Sequence, residues 1–161
     1  MKEPSVIHST FVIERHYPAP PARVFQALAD PAQKRRWYAE GGANAIEVYE
    51  LDFQVGGPER VIYRFKPGGP FPGTLLANEG VHLEITPERR VVISSTMAMD
   101  ERIFSASLVT FELLPDTDGT TLVCTHQGAF FEGADGPRMR EHGWGKLLDQ
   151  LAAFLAPQPI L

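Results

Sequence analysis

The chain has 161 residues, the size of one domain, and 43% of them are hydrophobic against 22% charged, so it folds around a sizeable core. A net charge of −5 leaves no basic surplus to neutralise phosphates and excludes a nucleic-acid binder. A single cysteine, Cys124, excludes an internal disulfide and a multi-cysteine zinc site.

Residues Thr10 to Tyr17 alternate and are rich in β-formers, which predicts a first strand ended by Pro18-Ala-Pro-Pro21. Ala22 to Ala29 carries Val24, Phe25 and Leu28 at helical spacing. Asp30-Pro31 opens a second short helix, with Asp30 as cap and Pro31 in the first turn, ending near Trp37-Tyr38 before Gly41-Gly42. From there the signals are mostly β. Strands are predicted over Ile46 to Val55, Arg60 to Lys66, Leu76 to Thr86, Arg90 to Met97, Ile103 to Leu114 and Thr120 to Gln127. Pro87-Glu88-Arg89 and Pro115 to Gly119 are the turns between the later strands. In the last strand Leu122, Cys124 and His126 share a face; in the one before, Ser107, Val109, Phe111 and Leu113 do.

The final stretch, Gly136 to Ala156, places Trp144, Leu147, Leu148, Leu151 and Leu155 on one side of a helix, with Phe154 beside them. Asp135 is the expected cap, and Pro157 and Pro159 stop the helix. Strands joined by short turns imply an antiparallel meander. The fold class is α+β: a curved antiparallel sheet wrapped around a long C-terminal helix, with two short helices after the first strand, in one domain over residues 1–161.

The N-terminus lacks the apolar run of a signal peptide, and no stretch approaches the ~18 apolar residues of a membrane span, so a cytoplasmic protein is expected. H-E-x-x-H, Cys-x-x-Cys, G-x-S-x-G and the P-loop are absent, and neither a cofactor nor a metal is expected.

The order of elements, and the residues that mark them, resemble a known family. Ala19-Pro20 with Val24-Phe25, Asp30-Pro31, Trp37, Asp52-Phe-Gln-Val-Gly56-Gly57, Ile85 to Val91 and Ser107 to Thr110 carry the likeness. Gly119-Thr120, His126 with Gly128, and Gly143-Trp144 with Leu148 and Leu151 complete it, from about residue 10 to 155. The pattern resembles the helix-grip fold of the START-related (SRPBCC) superfamily, in the AHSA-like branch named for the activator of heat-shock-protein ATPase. Gln54 stands where the family often has Arg, which removes that charge. The resemblance implies a domain whose relatives bind lipids, sterols, polyketides and hormones, some of them enzymes, one a cochaperone domain.

A single sheet over a single helix leaves space between them, and a small, mostly apolar organic ligand is the expected occupant. Its expected walls are Trp37, Tyr63, Val109, Phe111, Cys124, His126, Trp144 and Leu148, with His126 as the polar contact. Two rival readings stand beside this one: a cyclase- or hydrolase-like enzyme using His126 with Asp52 or Glu112, and a protein-interaction module that modulates a chaperone-type partner; a protein partner or homodimer stays open. Cys124 reads as core filler rather than the thiol of a Cys–His pair, and Asp52 as a turn carboxylate. His82 and Glu84 are expected to face solvent or a partner, with Val81, Leu83 and Ile85 facing the core. Lys34-Arg35-Arg36 reads as a solvated basic face whose neutralisation leaves stability unchanged.

Overall fold

The structure, a computed structural model, describes residues 3–42 and 44–157. Strand β1 (Ile7–Tyr17) leads into helix α1 (Pro21–Ala29) and a four-residue helix α2 (Pro31–Lys34), which continues as a π-helical turn, Arg35–Ala39. Six strands follow: β2 (Ala45–Leu51), β3 (Pro58–Arg64), β4 (Leu75–Thr86), β5 (Arg90–Met99), β6 (Arg102–Asp116) and β7 (Gly119–Phe130). Helix α3 (Pro137–Leu155) closes the chain, and Pro159 lies outside the described residues.

All seven strands form one antiparallel sheet in the order β1-β7-β6-β5-β4-β3-β2. Strands β2 to β7 pair with their neighbours in sequence, as short turns dictate. The two short helices carry the chain from one edge, β1, to the other, β2, so they lie across the sheet rather than beside it. This is the helix-grip arrangement that the order of elements predicts.

The cores of the two halves meet where the periods of two and 3.6 put them. Val109, Phe111, Leu113, Leu122 and Cys124 from the last hairpin pack with Leu148, Leu151 and Leu155 of α3. Helix α3 is pinned to β1 by the Tyr17 hydroxyl, which donates to the Leu148 carbonyl at 2.9 Å. Leu148 is fully buried. Leu148→Ala is therefore expected to cost about 2–5 kcal/mol, read from chemical denaturation, as a large-to-small core change; a loss below about 1 kcal/mol would contradict the packing of this stripe.

Local details depart from the sequence pattern for identifiable reasons. Strand β2 stops at Leu51, because Asp52 to Gly57 folds into a turn in which the Asp52 N–H donates to the Pro58 carbonyl. There the Asp52 carboxylate accepts from Gln54 Nε2 at 2.9 Å, so the uncharged residue at position 54 serves the turn itself. The N-cap of α3 is Gly136, at φ 88°, and not Asp135. Asp135 instead grips the Arg140 guanidinium with both oxygens, at 2.8 Å each.

The expectation for β4 is overturned in its middle. His82 pairs with Ile93, Glu84 pairs with Val92, and Leu83 between them is an extra residue. That β-bulge shifts the alternation by one position. His82 is therefore fully buried, with Nδ1 donating to the Gly57 carbonyl at 2.8 Å, while Val81 and Leu83 are exposed. Ile85, beyond the bulge, does pack against the core, and Glu84 forms a half-exposed pair with Arg90.

Candidate functional site

Between the concave face of β3 to β6 and the helices lies a small interior gap. Its apolar wall is Val61, Ile93, Val109, Phe111 and Trp144; its polar wall is Lys34, Tyr38, Glu59, Asn78 and Ser95, with Gly80 on the floor. The gap offers about 20 Å³ to the centre of a water-sized sphere. That is room for a single water and not for an organic molecule. Gly80 helps keep the floor low: a Cβ there would come within 3.0 Å of Ile93 Cγ2 and 2.9 Å of the Ser94 carbonyl.

The polar wall is built by a buried ion pair. Glu59 shares the inward face of β3 with Val61 and Tyr63, by the period of two. Lys34, the last residue of α2, reaches across to it, and the side chains are only 4% and 9% exposed. Lys34 Nζ donates to Glu59 Oε1 at 3.0 Å. It lies closer still to Oε2, at 2.7 Å, so both carboxylate oxygens face the ammonium; the Oε2 contact lies off the direction of a hydrogen bond, and a carboxylate oxygen accepts up to two. The ammonium sits 4.7 Å from the centre of the Tyr38 ring, whose hydroxyl accepts from Asn78 Nδ2 at 3.0 Å. Burial, and then the Glu59 charge, push the Tyr38, Tyr49 and Tyr63 phenols upward, Tyr63 to about 12, so all three stay protonated donors. The Tyr49 hydroxyl is buried without a partner.

The reading of Lys34-Arg35-Arg36 as a solvated face is thus corrected at its first residue. Arg35 pairs with Glu40, and Arg36 lies over the Phe154 ring, but Lys34 points inward. Four consecutive residues span a full helical turn, so a three-residue basic run cannot keep every member on one face.

Seven of the eight expected wall residues separate into three groups. Val109, Phe111 and Trp144 do meet at the gap. Trp144 is half-buried and wedged between the rings of Tyr38 and Phe111, 6.3 and 5.8 Å away. Trp37, Cys124 and Leu148 are core: the Trp37 indole donates to the Ala27 carbonyl, and burial pushes the Cys124 thiol up to about 12. Tyr63 is half-buried beside Glu59.

His126 stands apart from the gap, near the N-terminal half of α3. It is fully buried, stacked on Phe11 at 4.6 Å and 4°, with Phe130 on its other side at 6.2 Å. Neither ring nitrogen has a partner. Gly128 makes its place, since a Cβ there would lie 2.8 Å from His126 Cε1. Burial, and then the Arg140 charge, depress it to about 4, so the ring is neutral at pH 7. Among the described residues neither ring nitrogen is hydrogen-bonded to an acid or a nucleophile, and Glu112 is exposed.

Lys34, Glu59, Tyr38 and Asn78 were not among the expected site residues. One signal was available: Glu59 is a lone charge on an otherwise apolar strand face, and such a charge requires a partner when buried.

The curved sheet closed by one long helix, with a gap between them, defines the class: a helix-grip domain of the START-related superfamily. The profile of the family described as Activator of Hsp90 ATPase homolog 1-like protein matches residues 18–156. The chain belongs to this family. Among solved structures it is similar to an uncharacterised protein from Rhizobium leguminosarum, with 37% identity over 94% of this chain and 96% of that one and a TM-score of 0.87. A protein from Rhizobium loti is 47% identical over 93% and 99% of the two chains, with a TM-score of 0.80. One from Chromobacterium violaceum is 27% identical over 92% and 98%, with a TM-score of 0.76. No curated protein matches the chain. Among the described residues no helix is long and apolar enough to cross a membrane.

Proposed function

We propose that the protein binds a small, mostly apolar organic molecule between the sheet and α3, at the gap that Trp144 covers. The observation that carries this reading is the lining: five apolar side chains on one side and a desolvated ion pair on the other. Ligand sites combine an apolar wall with a few fixed polar groups in this way.

The gap as it stands has room for one water, so a ligand enters by displacing Trp144. The chain around that residue favours such a movement. Gly143 and Gly145 flank it inside α3, and each costs a helix interior about 1 kcal/mol relative to Ala. Neither is forced by packing: a Cβ at Gly143 would meet nothing within 4 Å, and one at Gly145 only Arg15 at 3.6 Å. Two glycines that packing does not require weaken the helix next to the covering side chain.

Trp144→Ala removes the cover. Titrated with an anilinonaphthalene dye, the variant is expected to bind at least tenfold more tightly than the wild type, and the wild type to bind saturably. Mass spectrometry of the purified protein under native conditions is expected to reveal a co-purified small molecule. Absence of saturable dye binding in both proteins would sink this reading. It would favour an interaction module, for which the exposed apolar surface at Ile103, Val81 and Leu83 of the sheet is the relevant feature.

A further inference from the structure

The ligand-binding reading leaves open which polar group the ligand carries, and the Lys34–Glu59 pair answers that. The pair presents an acceptor and a donor side by side at the gap, each with capacity beyond the ion pair itself. Glu59 Oε2, in a residue that is only 7% exposed, has Lys34 Nζ 2.7 Å away but no directed hydrogen bond, and it keeps a lone pair for a further donor. Lys34 Nζ has three N–H groups, of which one is directed at Glu59 Oε1 and the face of Tyr38 takes up another. A donor and an acceptor therefore lie adjacent on the same wall, closer together than the width of a ligand ring.

The charges of the pair cancel. A carboxylate placed there would compete with Glu59 for one ammonium and leave a buried negative charge uncompensated; an ammonium would do the reverse. A neutral group that offers its own donor beside its own acceptor meets the remaining lone pair and N–H and leaves the pair balanced. The rest of the lining, Val61, Ile93, Val109, Phe111 and Trp144, takes an apolar body.

We infer that the ligand bears a neutral head with adjacent donor and acceptor, of the amide or lactam type, whose N–H meets Glu59 Oε2 and whose carbonyl meets Lys34 Nζ. The inference rests on the ligand-binding reading above and names the chemistry of that same site. The apolar part of the ligand lies toward Trp144 and Phe111, so binding moves the Trp144 indole.

The test compares four probes of one size at pH 7: benzamide, benzoate, benzylammonium and toluene. Binding is read from the indole N–H resonances, with the Trp144 signal assigned by Trp144→Phe. Benzamide is expected to bind at least tenfold more tightly than each of the other three. In Lys34→Met/Glu59→Leu, which keeps the volume and removes both charges, benzamide is expected to bind no more tightly than toluene. The wild-type series decides without the variant. If toluene or either charged probe matches benzamide in the wild type, or if the double variant keeps the benzamide preference, this head-group assignment is overturned while the apolar site stands. If none of the four probes binds, the ligand-binding reading falls and this inference with it.

Discussion

Glu59→Ala is expected to lower the stability of the protein by about 3–5 kcal/mol, the cost of leaving one member of a buried pair without its partner. The Lys34 ammonium would remain almost fully enclosed, with only the Tyr38 ring to face it. Lys34→Met/Glu59→Leu is expected to behave in the opposite way. It replaces both charges by apolar groups of similar volume, and its stability is expected to equal or exceed that of the wild type, by up to about 4 kcal/mol. Chemical denaturation of the three proteins at one pH and salt concentration checks both statements. A cost below about 1 kcal/mol for Glu59→Ala would place the pair among solvated surface pairs and remove its meaning for the site. The contrast between the single and the double variant matters most. A double variant as stable as the wild type would show that folding does not require the pair, which the role proposed for it in recognition also expects.

A second large effect is expected from acid. His126 has a folded-state value of about 4, against about 6.5 for an unperturbed imidazole. Its causes are burial first and the Arg140 guanidinium second, with the Asp135 carboxylate acting the other way. Between those two values the unfolded chain takes up a proton that the folded protein refuses. Stability is therefore full above pH 6.5 and is lost as pH falls toward 4, by about 3 kcal/mol in all at ~1.4 kcal/mol per pH unit. His126→Phe keeps the stack on Phe11 and removes the titration. Its stability is expected to fall less steeply than that of the wild type between pH 6.5 and 4, and the difference between the two curves isolates this ring from the exposed carboxylates. Parallel curves would mean that His126 is protonated in the folded state. The charge would then sit among Phe11, Phe130 and Arg140, an arrangement the present geometry does not support.

These two sites show how evenly the domain divides its interior. The last hairpin and the C-terminal part of α3 form a packed apolar core around Leu148 and Leu151. The polar groups lie to either side: His126 with Arg140 and Ser105 under the start of α3, and Lys34 with Glu59 under the short helices. Trp144 lies between them in the chain of α3, where two glycines interrupt an otherwise strong helix former pattern. The proposed entry of a ligand requires this glycine-flanked turn to move while Leu148 and Leu151 stay packed.

Much of the architecture was legible from local pattern alone. The stripe of Leu148, Leu151 and Leu155 needs only the 3.6 period, and the hairpin at Asp116 to Gly119 only turn chemistry. The order of those elements was enough to identify the family, because few arrangements bury one helix against one meander. Other features depend on contacts between distant residues, and no local pattern reports those. Alternation along β4 assumes an unbroken ladder, and the single extra residue Leu83 reverses which side chains are buried. Lys34 looks like its two neighbours in sequence; only the approach of α2 to β3, 25 residues further on, gives it a buried partner. Asp135 had the composition of a cap, and the position of Arg140 one turn into α3 took it for an ion pair instead. The size of the gap is a small difference between the volume that sheet and helix enclose and the volume of the side chains that fill it. It is therefore decided only when Trp144, Tyr38 and Phe111 are placed against one another.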